Sequence, residues 1–268
     1  VGSNGLAIDH QGRLIICQHG NRALVRVEKD GTRTTLADRF EGKRLNGPND
    51  LQVAKDGSIY FTDIGVMPGK ELPAGFYRWK NGTLTRLHAD FQGAFATGIA
   101  LSPDARKIYV AVGRKIVQFD LDAAAGTVSN ERVLVDMTTE KQPGQPDGFK
   151  VDRKGNLFFG GAGGLWITSP EGKHLGTIRN PRNTNMAFGG ASKINFLTGM
   201  LQSPKTEGMT FLVAGDSPTD QGNFPFVSSK TIPVAIYKAV SSLKIPTALS
   251  KKITIKTDPD NKENVIVA

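Results

Sequence analysis

One column of residues, repeated at a fixed step, decides most of what this chain can become. Four segments read S-N-G-L-A-I-D from Ser3, P-N-D-L-Q-V-A from Pro48, A-T-G-I-A-L-S from Ala96 and P-D-G-F-K-V-D from Pro146. Their second residues are Asn4, Asn49, Thr97 and Asp147, at steps of 45, 48 and 50 residues. A fifth member, T-N-M-A-F, places Asn185 38 residues further on. A repeat of this length built from short strands is the signature of a β-propeller. Each innermost strand of a propeller begins near the central channel, so one column of polar residues converges on one point. A ring of Asn, Asp and Thr oxygens around an axis is, in outline, a site for a hard cation.

The turns between the apolar runs follow the same rhythm. The first unit pairs G-L-A-I-D and R-L-I-I-C, then A-L-V-R-V and T-R-T-T-L-A across Asp30-Gly31. The second carries Asp56-Gly57 and Asn81-Gly82, the third K-I-Y-V-A-V and K-I-V-Q-F-D-L, the fourth Glu171-Gly172. Asx-Gly pairs between alternating apolar runs are hairpin signals, and their ordered series predicts up to four short strands per unit. The G-G-A-G-G run from Gly160 lacks the Lys-Ser/Thr of a phosphate loop and reads as another hairpin.

Composition narrows the function classes. The 268 residues suit one all-β domain, and no run approaches 18 consecutive apolar residues, so no membrane-spanning helix is expected. The net charge of +9 is scattered, without a block of five like charges, and aromatics are not interleaved with it. Solvated charge is therefore expected, not a nucleic-acid surface. A single Cys17 excludes an internal disulfide, fits a reducing compartment and reads as a buried, inert thiol in R-L-I-I-C. His10, His88 and His174 show no metal spacing, and no G-x-S-x-G elbow is present, which argues against a serine hydrolase. Trp79 and Trp166 read as core aromatics.

After Gly190 the character changes. Residues 191–268 contain nine Lys and no Arg, and four of the 31 Gly. Strand-like runs persist, but the column does not recur. Two domains are expected on this basis: 1–190 as propeller blades, and 191–268 as a divergent β-rich segment, either a last blade or a separate piece.

At this point the residues resemble the senescence marker protein, gluconolactonase and luciferin-regenerating-enzyme-like family, in its bacterial gluconolactonase branch. The resemblance rests on K-R-L-N-G-P-N-D-L-Q-V-A-K-D-G-S-I-Y-F-T-D, Q-H-G-N-R from Gln18, G-I-A-L-S-P-D from Gly98 and F-D-L-D from Phe119. It continues through P-D-G-F-K-V-D-R-K-G-N-L, G-K-H-L-G-T-I and T-N-M-A-F-G-G, and covers residues 1–190.

The resemblance implies an all-β, six-bladed β-propeller, incomplete at the N-terminus and divergent at the C-terminus. It implies one divalent cation, calcium in most of the family, with zinc, magnesium or manganese as alternatives. The implied activity is hydrolysis of sugar lactones, a small-molecule substrate class. Carried over by motif, Asp147 is the metal-binding carboxylate and general base. Asn49 is a substrate or metal contact, and Thr97 stands where the family places a metal-binding Asn. His19 and Arg22, which follow the first unit's inner strands, are expected to reach the channel mouth and bind substrate.

A further family ligand, a Glu in an E-G-P motif, has no counterpart within these residues; Glu41-Gly42-Lys43 sits in a different unit and lacks the Pro. That departure, with Thr97, keeps a non-catalytic propeller scaffold open as the alternative. Read from the residues alone, Asp147 and Asn49 also suit strand-initiating turns. Thr97 suits a packing position, and His19 a loop imidazole bonded to the next strand.

Overall fold

The computed structural model describes residues 3–65, 71–179 and 185–192, and the strand segments 194–200, 230–233, 255–257 and 264–267. The chain divides into two compact units, Val1–Thr138 and Thr139–Ala268. The expectation for residues 191–268 falls largely outside the described residues.

The first unit holds three antiparallel sheets of four strands in simple meander order. The first comprises β1 (Ser3–Ile8), β2 (Leu14–Gln18), β3 (Ala23–Val27) and β4 (Arg33–Ala37). A short ladder of β5 (Arg39–Phe40) and β6 (Lys43–Arg44) leads to the second: β7 (Pro48–Val53), β8 (Ile59–Asp63), β9 (Gly75–Lys80) and β10 (Thr83–Ala89). The third is β11 (Ala96–Leu101), β12 (Lys107–Val112), β13 (Lys115–Asp122) and β14 (Thr127–Asp136). Each sheet is one propeller blade, and each blade is one sequence repeat.

The second blade shows why its strands are apolar on both faces. Leu51, Ile59, Phe61 and Tyr77 pack with Ile15, Cys17 and Leu24 of the first blade. Tyr60 and Phe76 alternate with them and pack with Ile99, Ile108, Val110 and Phe119 of the third. Successive strand residues point to opposite faces, so the middle of a strand sandwiched between two other sheets is apolar on both. Burying each such side chain contributes about 1.5–3 kcal/mol. The turns are those expected: Asn81 and Gly82 both take positive φ, 48° and 83°, between β9 and β10. That is the type I′ geometry that Asn-Gly favours because it matches strand twist.

The second unit contains the fourth blade, β15 (Phe149–Val151), β16 (Leu157–Gly161), β17 (Gly164–Thr168) and β18 (His174–Arg179). Its glycine run forms the β16–β17 hairpin, with Gly161 paired to Gly164. Trp166 is a core residue there; its Nε1 donates to Ala162 O at 2.8 Å and its ring stacks on His174 at 4.0 Å. A hairpin follows, β19 (Asn185–Ser192) with β20 (Ile194–Met200). Then comes a small sheet of β21 (Lys230–Pro233), β22 (Ile255–Thr257) and β23 (Asn264–Val267), in the order β21-β23-β22.

Candidate functional site

The column of residues found in the sequence sits on a repeated backbone irregularity. In the first blade Ser3 pairs with Gln18, and the next pair is Leu6 with Ile16. The second goes from Pro48–Asp63 to Leu51–Phe61, and the third from Ala96–Val112 to Ile99–Val110. Each inner strand advances three residues while its partner advances two. The extra residue is a β-bulge, and Asn4, Asn49 and Thr97 each lie at the same place in it. Bulges bend a strand and re-aim a side chain, and they concentrate beside functional sites. In the fourth blade Phe149, two residues after Asp147, begins the regular pairing with Phe159. Leu6, Leu51 and Ile99 hold that place in the other three blades, so Asp147 occupies the column position of its own blade.

Within the first unit, β1 and β11 both pack against β7, which brings the bulges side by side. Gly5 lies so close to the second bulge that a Cβ there would stand 2.6 Å from Asp50 Cα and 2.8 Å from Asn49 O. Asn49, Asp50 and Thr97 are buried.

Two consecutive residues at the end of β8 hold the second bulge from both sides. The Asp63 carboxylate accepts Asn46 N–H at 2.7 Å and Gly47 N–H at 2.5 Å, just ahead of Pro48-Asn49. The Thr62 hydroxyl accepts Asp50 N–H at 3.1 Å and donates to the carbonyl of Thr97. Asn46 adds an amide pairing with the backbone of Leu72. Sequence reasoning assigned none of these three a role, although I-Y-F-T-D stood within the motif that carried the family resemblance.

His19 and Arg22 flank the same loop. The His19 ring packs on Gly47, where a Cβ would fall 2.8 Å from its Cε1, and its Nδ1 is buried without a hydrogen-bond partner. Arg22, at φ 60°, donates from Nε to Leu45 O at 2.5 Å and from a terminal guanidinium nitrogen to Arg44 O at 3.4 Å. Its guanidinium thus fastens the strand leading into β7. Cys17 lies under this region, fully buried; burial first, then the charges of Asp50 and Asp63, push its thiol pKa well up. That is the inert thiol expected.

Asp147 belongs to the second unit and is half-buried. The following Gly148 approaches Asn185, the column residue of β19, so closely that a Cβ would fall on its side-chain amide. Inner-strand entrances therefore abut in both units.

Two observations bear on a cation. Thr97 Oγ1 is buried and has no hydrogen-bond partner, which leaves a hydroxyl oxygen available as a donor. Among the described residues, no group of three or more His, Cys, Asp or Glu stands together. Within the first unit, the Asn49 amide and the Thr97 hydroxyl are neutral hard oxygen donors, the type that calcium-like ions take.

The family model described as the SMP-30/Gluconolactonase/LRE-like region matches residues 1–198. The chain belongs to this family. A curated gluconolactonase from Zymomonas mobilis is 31% identical over 231 residues, 78% of this chain. The chain spans 64% of that relative's length. Among solved structures, a gluconolactonase from Xanthomonas campestris is 35% identical, with a TM-score of 0.64 over 74% of this chain and 69% of that one. A calcium-binding protein, regucalcin, from Agrobacterium tumefaciens shares the fold at 21% identity and a TM-score of 0.61, covering 76% and 70%. SMP-30/gluconolactonase-like membership accounts for the all-β blades and their meander order. No helix among the described residues is long and apolar enough to cross a membrane.

Proposed function

We propose that this protein is a lactone hydrolase acting on sugar lactones, with a divalent cation, calcium in the first instance, and Asp147 as general base. The observation that carries the reading is the similarity to the Zymomonas gluconolactonase, which extends over 78% of this chain. The six-bladed form of the propeller belongs to the same proposal. Asp147, Asn49 and Thr97 would supply the cation's protein ligands through carboxylate, amide and hydroxyl oxygens. When bound, a divalent cation supplies Lewis-acid stabilisation for charge developing on the lactone carbonyl.

Asp147 takes a proton from a water as the water oxygen bonds to the carbonyl carbon. The ring C–O bond then breaks, and the ring oxygen leaves with the proton that Asp147 returns, giving the open hydroxy acid. Asn49, buried at a bulge, holds the ring or carbonyl by hydrogen bonding. His19 and Arg22, packed on the loop before β7, present polar edges for sugar hydroxyls.

Calcium titration by calorimetry, together with δ-gluconolactone hydrolysis above the spontaneous rate, tests the reading on this protein and on Asp147→Ala. Binding and turnover that both fall about 100-fold or more in the variant support it. A folded protein that neither binds millimolar calcium nor hydrolyses lactone sinks it and leaves a propeller scaffold.

A further inference from the structure

We propose that Thr62 is the positioning residue of this site, locking the bulge that carries Asn49 to the one that carries Thr97. Four observations carry this. Thr62 is fully buried at the end of β8, outside the column of bulge residues. Its hydroxyl accepts Asp50 N–H, which belongs to the bulge of β7, and donates to the carbonyl of Thr97, which belongs to the bulge of β11. Its other acceptor within reach is Asp50 O, at 3.4 Å. Finally, the neighbouring Asp63 fixes the other side of the same bulge through Asn46 and Gly47.

The chemistry explains why one hydroxyl can do this. A bulge withdraws backbone groups from the regular ladder, so they need partners from elsewhere. A hydroxyl accepts and donates at once, which lets one atom serve an N–H of one blade and a C=O of the next. Threonine is stiff about χ1, so a β-branched residue in a strand aims that oxygen with little freedom. Asn49 and Thr97 take their backbone directions from the two groups Thr62 joins. A small misplacement of reacting groups costs rate far more than binding.

The inference rests on the lactonase reading, and the comparison of Thr62→Val with Thr62→Ser tests it separately. Valine keeps the shape and removes the hydroxyl; serine keeps the hydroxyl. With δ-gluconolactone as probe, at a temperature where every variant is folded, Thr62→Val is expected to lower kcat about tenfold or more while KM changes little. Thr62→Ser should restore most of that loss. A Val variant that melts lower but keeps full kcat, or a Ser variant as impaired as Val, overturns the proposal and leaves a structural threonine. If the unmodified protein turns over no lactone, the lactonase reading fails by itself. The side-chain amide resonance of Asn49 then decides: displacement in Val with recovery in Ser supports positioning, and an unmoved resonance in Val overturns it.

Discussion

Gly5 approaches Asp50 so closely that a Cβ on it would stand 2.6 Å from the Asp50 Cα. Both belong to bulges, one in β1 and one in β7; the obstructing atoms are the Asp50 Cα and the Asn49 carbonyl oxygen, with the Asp50 carboxylate beside them at 2.7 Å. Gly5→Ala must therefore push one inner strand off another, because rotating the Asp50 side chain leaves the two backbone atoms in the way. Overpacking of this kind costs about 1–3 kcal/mol. Thermal unfolding of Gly5→Ala against the unmodified protein measures it; an unchanged midpoint would show that the strands part without cost.

Asp63→Asn should destabilise the protein by about 2–4 kcal/mol, since charge-assisted hydrogen bonds to two buried N–H groups are at stake. The amide keeps one acceptor oxygen and turns a donor toward the other N–H. Asn46 and Gly47 would then compete for a single oxygen, ahead of the Asn49 bulge. Urea unfolding reads the loss, and a midpoint within error of the unmodified protein would contradict the assignment.

Asp56 gives a pH dependence of known sign. Burial raises its pKa, but the hydrogen bonds from Lys80 and Ser58 outweigh that and hold the carboxyl at about 2, against an ordinary 3.8. Lys80 Nζ stands 2.6 Å from Oδ2. A depressed folded pKa gives stability that is present above the unfolded value and lost as pH falls through the folded one. The pair's contribution therefore disappears as pH falls from about 4 to about 2. Its carboxylate is 38% exposed, so solvent screening limits it to below about 1 kcal/mol. Melting curves across that window should be flatter for Asp56→Asn than for the unmodified protein.

Cys17 should resist thiol reagents in the native state. Its sulfur is fully buried, and burial together with Asp50 and Asp63 disfavours the thiolate that reacts. Labelling at pH 8 is expected to be negligible until denaturant is added and then to reach one thiol per chain. Rapid native labelling would mean that the β2–β7 region opens locally.

The order of the blades is legible in the sequence alone. A column at 45, 48 and 50 residues and Asx-Gly pairs at hairpin positions are short-range signals, written in contiguous residues. So is the family resemblance, because its motifs cluster around those strand entrances. Cys17, Trp166 and the glycine hairpin were readable for the same reason: apolar runs and turn residues carry their own local physics.

What only the tertiary structure decided is how the column is built. The bulges exist because an inner strand advances three residues while its partner advances two, and no single segment records that mismatch. Thr62 and Asp63 read as ordinary strand residues until hydrogen bonds across 12, 35, 16 and 17 residues reveal their partners. Likewise the packing role of Arg22 was not readable: Nε and one terminal guanidinium nitrogen donate to the carbonyls of Leu45 and Arg44, 23 and 22 residues away. Sequence periodicity determines which strands form, because side-chain alternation and turn chemistry are local. The aim of each polar side chain depends on which buried backbone groups the bulges leave unpaired, and that is settled only when the blades pack together.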